Sequence, residues 1–277
     1  YGAWNDCPAP TAARILTDAP QNGGADASVW EFTAPSDGVY TLTVQGAETG
    51  ALYDTTDVLP KAGREGTMLQ RGFYLEAGET ALFCVQAEAS YTVEVTRAQE
   101  IGLCSPVRFN AAFTGYERFF SFTAPAAGSY VFHAAGESGW LYKLGENAVW
   151  ELYRHFSASR PDSGVSLTLE KGQRVYFRIA YTAIGSYSFA VSRPAPDVSV
   201  SDEGVNVSYD PEFTGLHLIA LYDADGRMVD VQYVPVQSLD TRISVVLRGT
   251  KTGFVRVFQL DAEKNTPLTA AKQIELV

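Results

Sequence analysis

The sequence predicts an all-β protein of three consecutive β-sandwiches, and three observations carry that prediction. A set of sequence blocks recurs at an offset of about ninety residues. Apolar and polar residues alternate with period two after each turn, the pattern of a strand with one buried face. Gly, Pro and Asp punctuate the chain every eight to twelve residues, the spacing of short strands in a sandwich or barrel.

The recurrence is a duplication of a whole module. Trp30-Glu31-Phe32-Thr33-Ala34-Pro35-Ser36-Asp37-Gly38-Val39-Tyr40 returns 90 residues later as Phe120-Ser121-Phe122-Thr123-Ala124-Pro125-Ala126-Ala127-Gly128-Ser129-Tyr130. Leu75-Glu76-Ala77-Gly78-Glu79 returns at an offset of 94 as Leu169-Glu170-Lys171-Gly172-Gln173, and Ser90-Tyr91-Thr92-Val93-Glu94-Val95 at 96 as Ser186-Tyr187-Ser188-Phe189-Ala190-Val191. In each copy the Phe-Thr-Ala-Pro block ends a strand, because proline cannot donate to a ladder and holds its predecessor extended. The next strand buries Tyr40, Leu42 and Val44, or Tyr130 and Phe132. A closing hairpin is expected to point Ala81, Phe83 and Val85, then Tyr91, Val93 and Val95, inward; in the second copy these are Val175, Phe177 and Ile179, then Tyr187, Phe189 and Val191. Cys84 aligns with Arg178, and arginine is rarely buried unpaired, so this strand face should look to solvent or to a neighbouring domain and Cys84 should lie outside the core.

Past the Pro-rich joint Arg193-Pro194-Ala195-Pro196-Asp197 the repeat stops. Strands are predicted over 205–209, 216–222, 227–234, 242–247 and 254–260, with Asp223-Ala224-Asp225-Gly226 as a hairpin turn. The expected domains are 1–98 and 99–193, two related jelly-roll-like sandwiches, and 194–277, an immunoglobulin-like sandwich of seven short strands.

Composition excludes several classes. With 46% hydrophobic and 19% charged residues the chain is an ordinary globular mixture. A formal charge of −11 argues against nucleic acid and anionic membranes as partners. The charge is uneven: residues 1–98 carry 5 basic and 13 acidic side chains, 99–193 carry 9 and 7, and 194–277 carry 7 and 12. Only the middle part is approachable by an anion. No apolar run is long enough to span a bilayer. Tyr1 is no initiator and no signal-peptide pattern follows it, so the sequence is expected to be an excerpt of a longer chain. Cys7, Cys84 and Cys104 are too few for a disulfide framework and lack zinc spacing. Three free thiols are the expected state, with Cys7 and Cys104, each just ahead of a repeat, the pair to form if one does.

The Phe-Thr-Ala-Pro-x-x-Gly-x-Tyr block, the central Leu52-Tyr53 and Leu141-Tyr142 strands, and the Leu-x-x-Gly-x then Tyr-x-Val-x-Val or Tyr-x-Phe-x-Val ending resemble the bacterial pre-peptidase C-terminal domain over residues 12–193. That resemblance implies a jelly-roll-like sandwich appended to secreted enzymes and surface proteins, without catalytic residues of its own. The Asp-rich turn of that family survives only in part, as Asp54 and Asp57, which are the candidates for a structural calcium site. Residues 220–229, 254–258 and 266–268 are similar to an immunoglobulin-like domain near the C-termini of surface and secreted proteins of gut Firmicutes. Both resemblances imply an extracellular or cell-surface location in a Gram-positive bacterium.

Catalytic constellations are not legible. His133, His155 and His217 have no partner at metal-ligand spacing, and His133 falls on the solvent face opposite Tyr130 and Phe132. Gly136-Glu137-Ser138-Gly139 lacks the spacing of a nucleophile elbow and reads as loop. Asp223 and Asp225 read as turn chemistry and not as a calcium loop or a glycosidase pair. The candidate ligand-binding residues are Trp140, Tyr142, Trp150 and Tyr153. If Leu141 faces the core, alternation sends Trp140 and Tyr142 outward, where flat rings suit a sugar face or a protein partner. Burial against an adjoining domain or in the core is the competing role for these rings. Residues 149–156 as a strand would group Trp150, Leu152 and Phe156, and as a helix Val149, Leu152, Tyr153 and Phe156; the duplicated module favours the strand. The expectation is a monomeric, cofactor-free, non-catalytic array acting as spacer or adhesion domains, with polysaccharide binding by the middle domain as the alternative and a polysaccharide or another surface protein as partner.

Overall fold

The fold is described from a computed structural model, for residues 14–15, 19–25, 28–47, 49–52, 61–62, 68–112, 114–159, 163–201, 204–209, 215–236, 242–249, 252–261, 265–269 and 271–276. Three β-sandwiches follow one another, and the one helical element among the described residues is a 3-10 turn at Glu146–Ala148. The first sandwich comprises β1 (Arg14–Ile15), β2 (Gln21–Gly23), β3 (Ser28–Thr33), β4 (Gly38–Gln45), β5 (Thr49–Leu52), β6 (Lys61–Ala62), β7 (Met68–Leu75), β8 (Thr80–Gln86) and β9 (Tyr91–Arg97). The second comprises β10 (Gln99–Glu100), β11 (Val107–Ala111), β12 (Glu117–Thr123), β13 (Gly128–Gly136), β14 (Ser138–Leu144), β15 (Trp150–Ser157), β16 (Ser163–Leu169), β17 (Arg174–Tyr181) and β18 (Gly185–Ser192). The third comprises β19 (Asp197–Ser201), β20 (Gly204–Ser208), β21 (Leu216–Tyr222), β22 (Met228–Pro235), β23 (Arg242–Val245), β24 (Gly253–Leu260) and β25 (Lys272–Leu276).

The first two sandwiches share a strand order. One sheet runs β1-β3-β8-β5 and its counterpart β10-β12-β17-β14, extended by β15; the facing sheet runs β2-β9-β4-β7, extended by β6, and its counterpart β11-β18-β13-β16. The expected closing hairpin is not one: β8 and β9 lie in different sheets, as do β17 and β18. The apolar alternation of these strands is as expected, but their turn carries the chain across the core instead of back along its neighbour. Both strands then point their apolar side chains at the same core from opposite sides.

The motif blocks recur because they make the same hydrogen bonds. Ala34 N donates to Glu79 O and Gly78 N to Ala34 O, at 2.9 and 2.8 Å; Ala124 N donates to Gln173 O and Gly172 N to Ala124 O at the same distances. The Tyr40 hydroxyl donates to Ser36 O at 2.6 Å, and Tyr130 to Ala126 O at 2.6 Å. Gly78 and Gly172 sit at φ +81° and +80°, where an L side chain is strained, which explains the glycine in both Leu-x-x-Gly blocks.

Aromatic side chains fill the cores. Trp30 Nε1 donates to the Tyr91 hydroxyl at 2.7 Å across the first core, and Phe132 stands 4.3 Å from Phe177 across the second. In the third, Val205, Val207 and Val245 face Ile219, Leu221, Val255 and Val257. The Asp223–Gly226 turn forms as expected, with Asp223 Oδ1 accepting from Asp225 N at 3.0 Å and Arg227 N at 2.9 Å.

The cysteine expectation is overturned. Cys84 is disulfide-bonded and Cys104 is the free thiol, so neither three free thiols nor a Cys7–Cys104 bridge is formed. Cys7 lies outside the described residues. Cys84 is 5% exposed yet absent from the sandwich core, because it points from the outer face of its sheet.

Candidate functional site

The outer face of the β10-β12-β17-β14-β15 sheet gathers most of the predicted site. Register places residues in rows: Phe119, Arg178, Tyr142 and Leu152 in one, Glu117, Ala180, Trp140 and His155 in the next. Leu141 is fully buried, so Trp140 and Tyr142 point outward as alternation requires, and both are half-buried. β15 is a strand, but its pairing with β14 slips between Leu141 and Tyr142, leaving Tyr153 as the extra residue of a bulge. The bulge flips the second half of the strand. Trp150 and Leu152 therefore share the outer face while Phe156 is fully buried, a correction to the single face expected for all three. Tyr153 packs against the sandwich core, apart from Trp140, Tyr142 and Trp150.

Arg178 ties the outer rings together. Its guanidinium carbon lies 4.0 Å from the Tyr142 ring centroid and 5.5 Å from that of Trp150, and Nη1 pairs with Glu117 Oε1 at 3.1 Å. Burial raises the Glu117 pKa above its ordinary value, and the Arg178 and Arg71 charges pull it back. Glu117 N is in turn bonded by Gln70 Oε1 of the first sandwich, at 3.0 Å.

The first sandwich covers one end of this face. Val39 and Ala98 bury Phe119 and Tyr176, with Tyr74, Leu144 and Trp150 packed around them. Phe119 and Trp150 stand 5.5 Å apart, and Tyr74 meets Tyr176 edge to face at 6.0 Å. Gly72 is required by this approach: a Cβ there would lie 2.1 Å from Phe119 Cζ. At the next joint Arg193 N donates to Leu268 O at 2.9 Å, and the Arg193 guanidinium is buried against the Tyr130 ring while donating to Ala127 O.

At the far end, Trp140 meets His155 at 4.5 Å in an edge-to-face contact. Ser138 Oγ lies 3.4 Å from His155 Nε2 and accepts from Thr182 Oγ1 at 2.7 Å. His155 is exposed. Gly136 and Ser138 belong to β13 and β14, so the segment expected to be loop is a single bend at Glu137 between two strands.

Elsewhere, His133 is half-buried on the outer face of its sheet, 3.3 Å from Ser192 Oγ. His217 is fully buried beside Tyr209, and burial pushes its pKa down to about 4. Asp54 and Asp57 lie outside the described residues. Among the described residues no group of three or more His, Cys, Asp or Glu could hold a metal ion, and no helix is long and apolar enough to cross a membrane. The residues that sequence reasoning missed are Phe119, Glu117 and Arg178; the Cys84–Arg178 alignment was a signal that this face meets something.

No protein-family model matches the chain, and no curated protein matches it. Among solved structures, a β-glucuronidase of Ruminococcus gnavus aligns at 11% identity and TM-score 0.24 over 58% of this chain and 34% of that one. A β-D-glucuronidase of Dictyoglomus thermophilum aligns at 11% and 0.25 over 58% and 36%. The matched region spans about a third of those proteins' length.

Proposed function

We propose that this chain is a non-catalytic module array of an extracellular or cell-surface protein, holding what it is joined to at a fixed distance and angle. The observation that carries this is the joint between the first two sandwiches, where Phe119 seats on Gly72 and Gln70 bonds the backbone of Glu117. Outward aromatic rings that could have been a free platform are used to fix one sandwich on the next. The disulfide at Cys84 supports an oxidising compartment. Matching strand order and matching hydrogen bonds support the reading of the first two sandwiches as copies of one module, of the pre-peptidase C-terminal type, followed by an immunoglobulin-like one. Small-angle X-ray scattering of the whole chain tests the idea: a single rigid shape is expected, and an ensemble of sandwich orientations would overturn it.

A second reading, a carbohydrate-binding accessory role, is favoured by one observation: Trp140 remains partly open beside exposed His155, whose Nε2 lies 3.4 Å from the Ser138 hydroxyl. Electrophoresis through polysaccharide-containing gels, with Trp140→Ala as control, tests it. No retardation of the unaltered chain in any gel would overturn this reading, and equal retardation of both proteins would exclude Trp140 as its site.

A further inference from the structure

Where the end of the second sandwich meets the first, the β14–β15 turn, the end of β16 and the start of β17 leave a groove of about 460 Å³. That volume falls within the range of about 300–1,000 Å³ typical of small-molecule sites, and inter-domain seams are where such sites concentrate. Tyr74 of the first sandwich forms one wall and Tyr176 of the second the adjoining one. Lys143, Thr168 and Arg174 present donors, and Glu146 presents a carboxylate acceptor. Arg174 is held in place by the Thr123 hydroxyl at 3.0 Å and by Glu100 at 3.6 Å, so little is lost in ordering it around a ligand. The turn that closes the groove carries Ala148 at φ 57°, a left-handed conformation that is strained for a non-glycine residue and that clusters at ligand-binding sites.

The mixture of groups selects among ligand chemistries. A carboxylate or phosphate would gain from Lys143 and Arg174 but would face Glu146, with Glu100 close behind. An apolar ligand would take water from these polar side chains and offer them no hydrogen bond in return. A polyhydroxylated ring matches both signs, because each hydroxyl donates and accepts, while its C–H face rests on a tyrosine ring.

We propose that this groove binds a neutral saccharide unit. The inference rests on the carbohydrate reading above but moves the site from Trp140 to the seam between the sandwiches. The test is retardation of the whole chain in native gels containing xylan, glucomannan or laminarin, with polygalacturonate as the anionic arm. Variants are Thr168→Trp, which fills the groove from an exposed position, and Trp140→Ala; equal thermal melting with the unaltered chain shows that both fold. Retardation by at least one neutral polysaccharide is expected, weakened at least tenfold by Thr168→Trp and unchanged by Trp140→Ala. Retardation lost only in Trp140→Ala overturns the groove and supports the Trp140 site. Retardation by polygalacturonate alone overturns the neutral saccharide. No retardation in any gel overturns both carbohydrate sites and leaves the spacer reading standing.

Discussion

Arg178 and Glu117 form an ion pair at 3.1 Å on the outer face of a sheet, with only 21% and 19% of their side chains exposed. The pair stands beside the joint with the first sandwich, where losing one partner leaves the other charge in a poorly solvated place. Arg178→Met is expected to cost about 2 kcal/mol, since it strips Glu117 of its cation and Tyr142 of its cover. Adding Glu117→Gln should recover part of that loss. Urea unfolding of the two single variants and the double variant measures the coupling, and strictly additive costs would refute it.

Gly72→Val should loosen the first two sandwiches without unfolding either one. The new Cβ would meet Phe119 at 2.1 Å, and Phe119 is confined by Trp150. A larger maximum dimension in small-angle scattering, and new proteolytic cleavage near residues 97–100, are the expected outcomes. An unchanged scattering profile would show that the joint tolerates the side chain.

Tyr40→Phe and Tyr130→Phe should each cost roughly 1 kcal/mol, the net worth of one hydrogen bond. Each removes the bond to the carbonyl four residues earlier while keeping the ring in the core. Because the two bonds are equivalent, the losses should be similar in denaturant titrations that resolve the two sandwiches.

The third sandwich should lose stability in mild acid. An unfolded histidine titrates near 6.5, whereas burial holds His217 down to about 4. Between those values the unfolded state binds more protons, so stability falls as pH drops from about 6.5 to about 4, by roughly 3 kcal/mol, and this group contributes no further change outside that window. Glu117 acts in the opposite direction on the second sandwich. Its folded pKa is raised, so the folded state binds the proton more readily and gains as pH falls through that value. Calorimetry of the chain and of His217→Phe at pH 7.5 and 4.5 separates the two, and an identical acid loss in the variant would rule out His217 as its source.

Thiol counting checks the cysteine chemistry. One thiol should react in denaturant without reductant, and three after reduction. In the native chain Cys104 should alkylate slowly at neutral pH, because burial pushes its pKa up to about 11 and leaves little thiolate. Rapid native labelling of Cys104 would contradict that burial.

The strands were legible because period-two alternation and the Pro, Gly and Asp punctuation are local consequences of backbone sterics and solvation. Tyr40 with Tyr130, and Gly78 with Gly172, announced themselves as pairs, and the structure assigns each pair one hydrogen bond or one left-handed turn. Sheet membership was not legible. An apolar strand after a short turn buries the same residues whether it returns beside its neighbour or crosses the core, so β8 and β9 read as a hairpin. The bulge at Tyr153 was equally silent, since it arises from pairing with β14 and it alone sends Leu152 outward and Phe156 inward. What covers an outward ring depends on residues far away in sequence: Gly72 receives Phe119, and Arg178 caps Tyr142. The all-β class, the turn residues and, β15 apart, the strand faces follow from local pattern. Which strands pair, which cysteine is bridged and which aromatic rings are spent on holding the first two sandwiches together were decided by tertiary packing, because those contacts join segments that no local pattern relates.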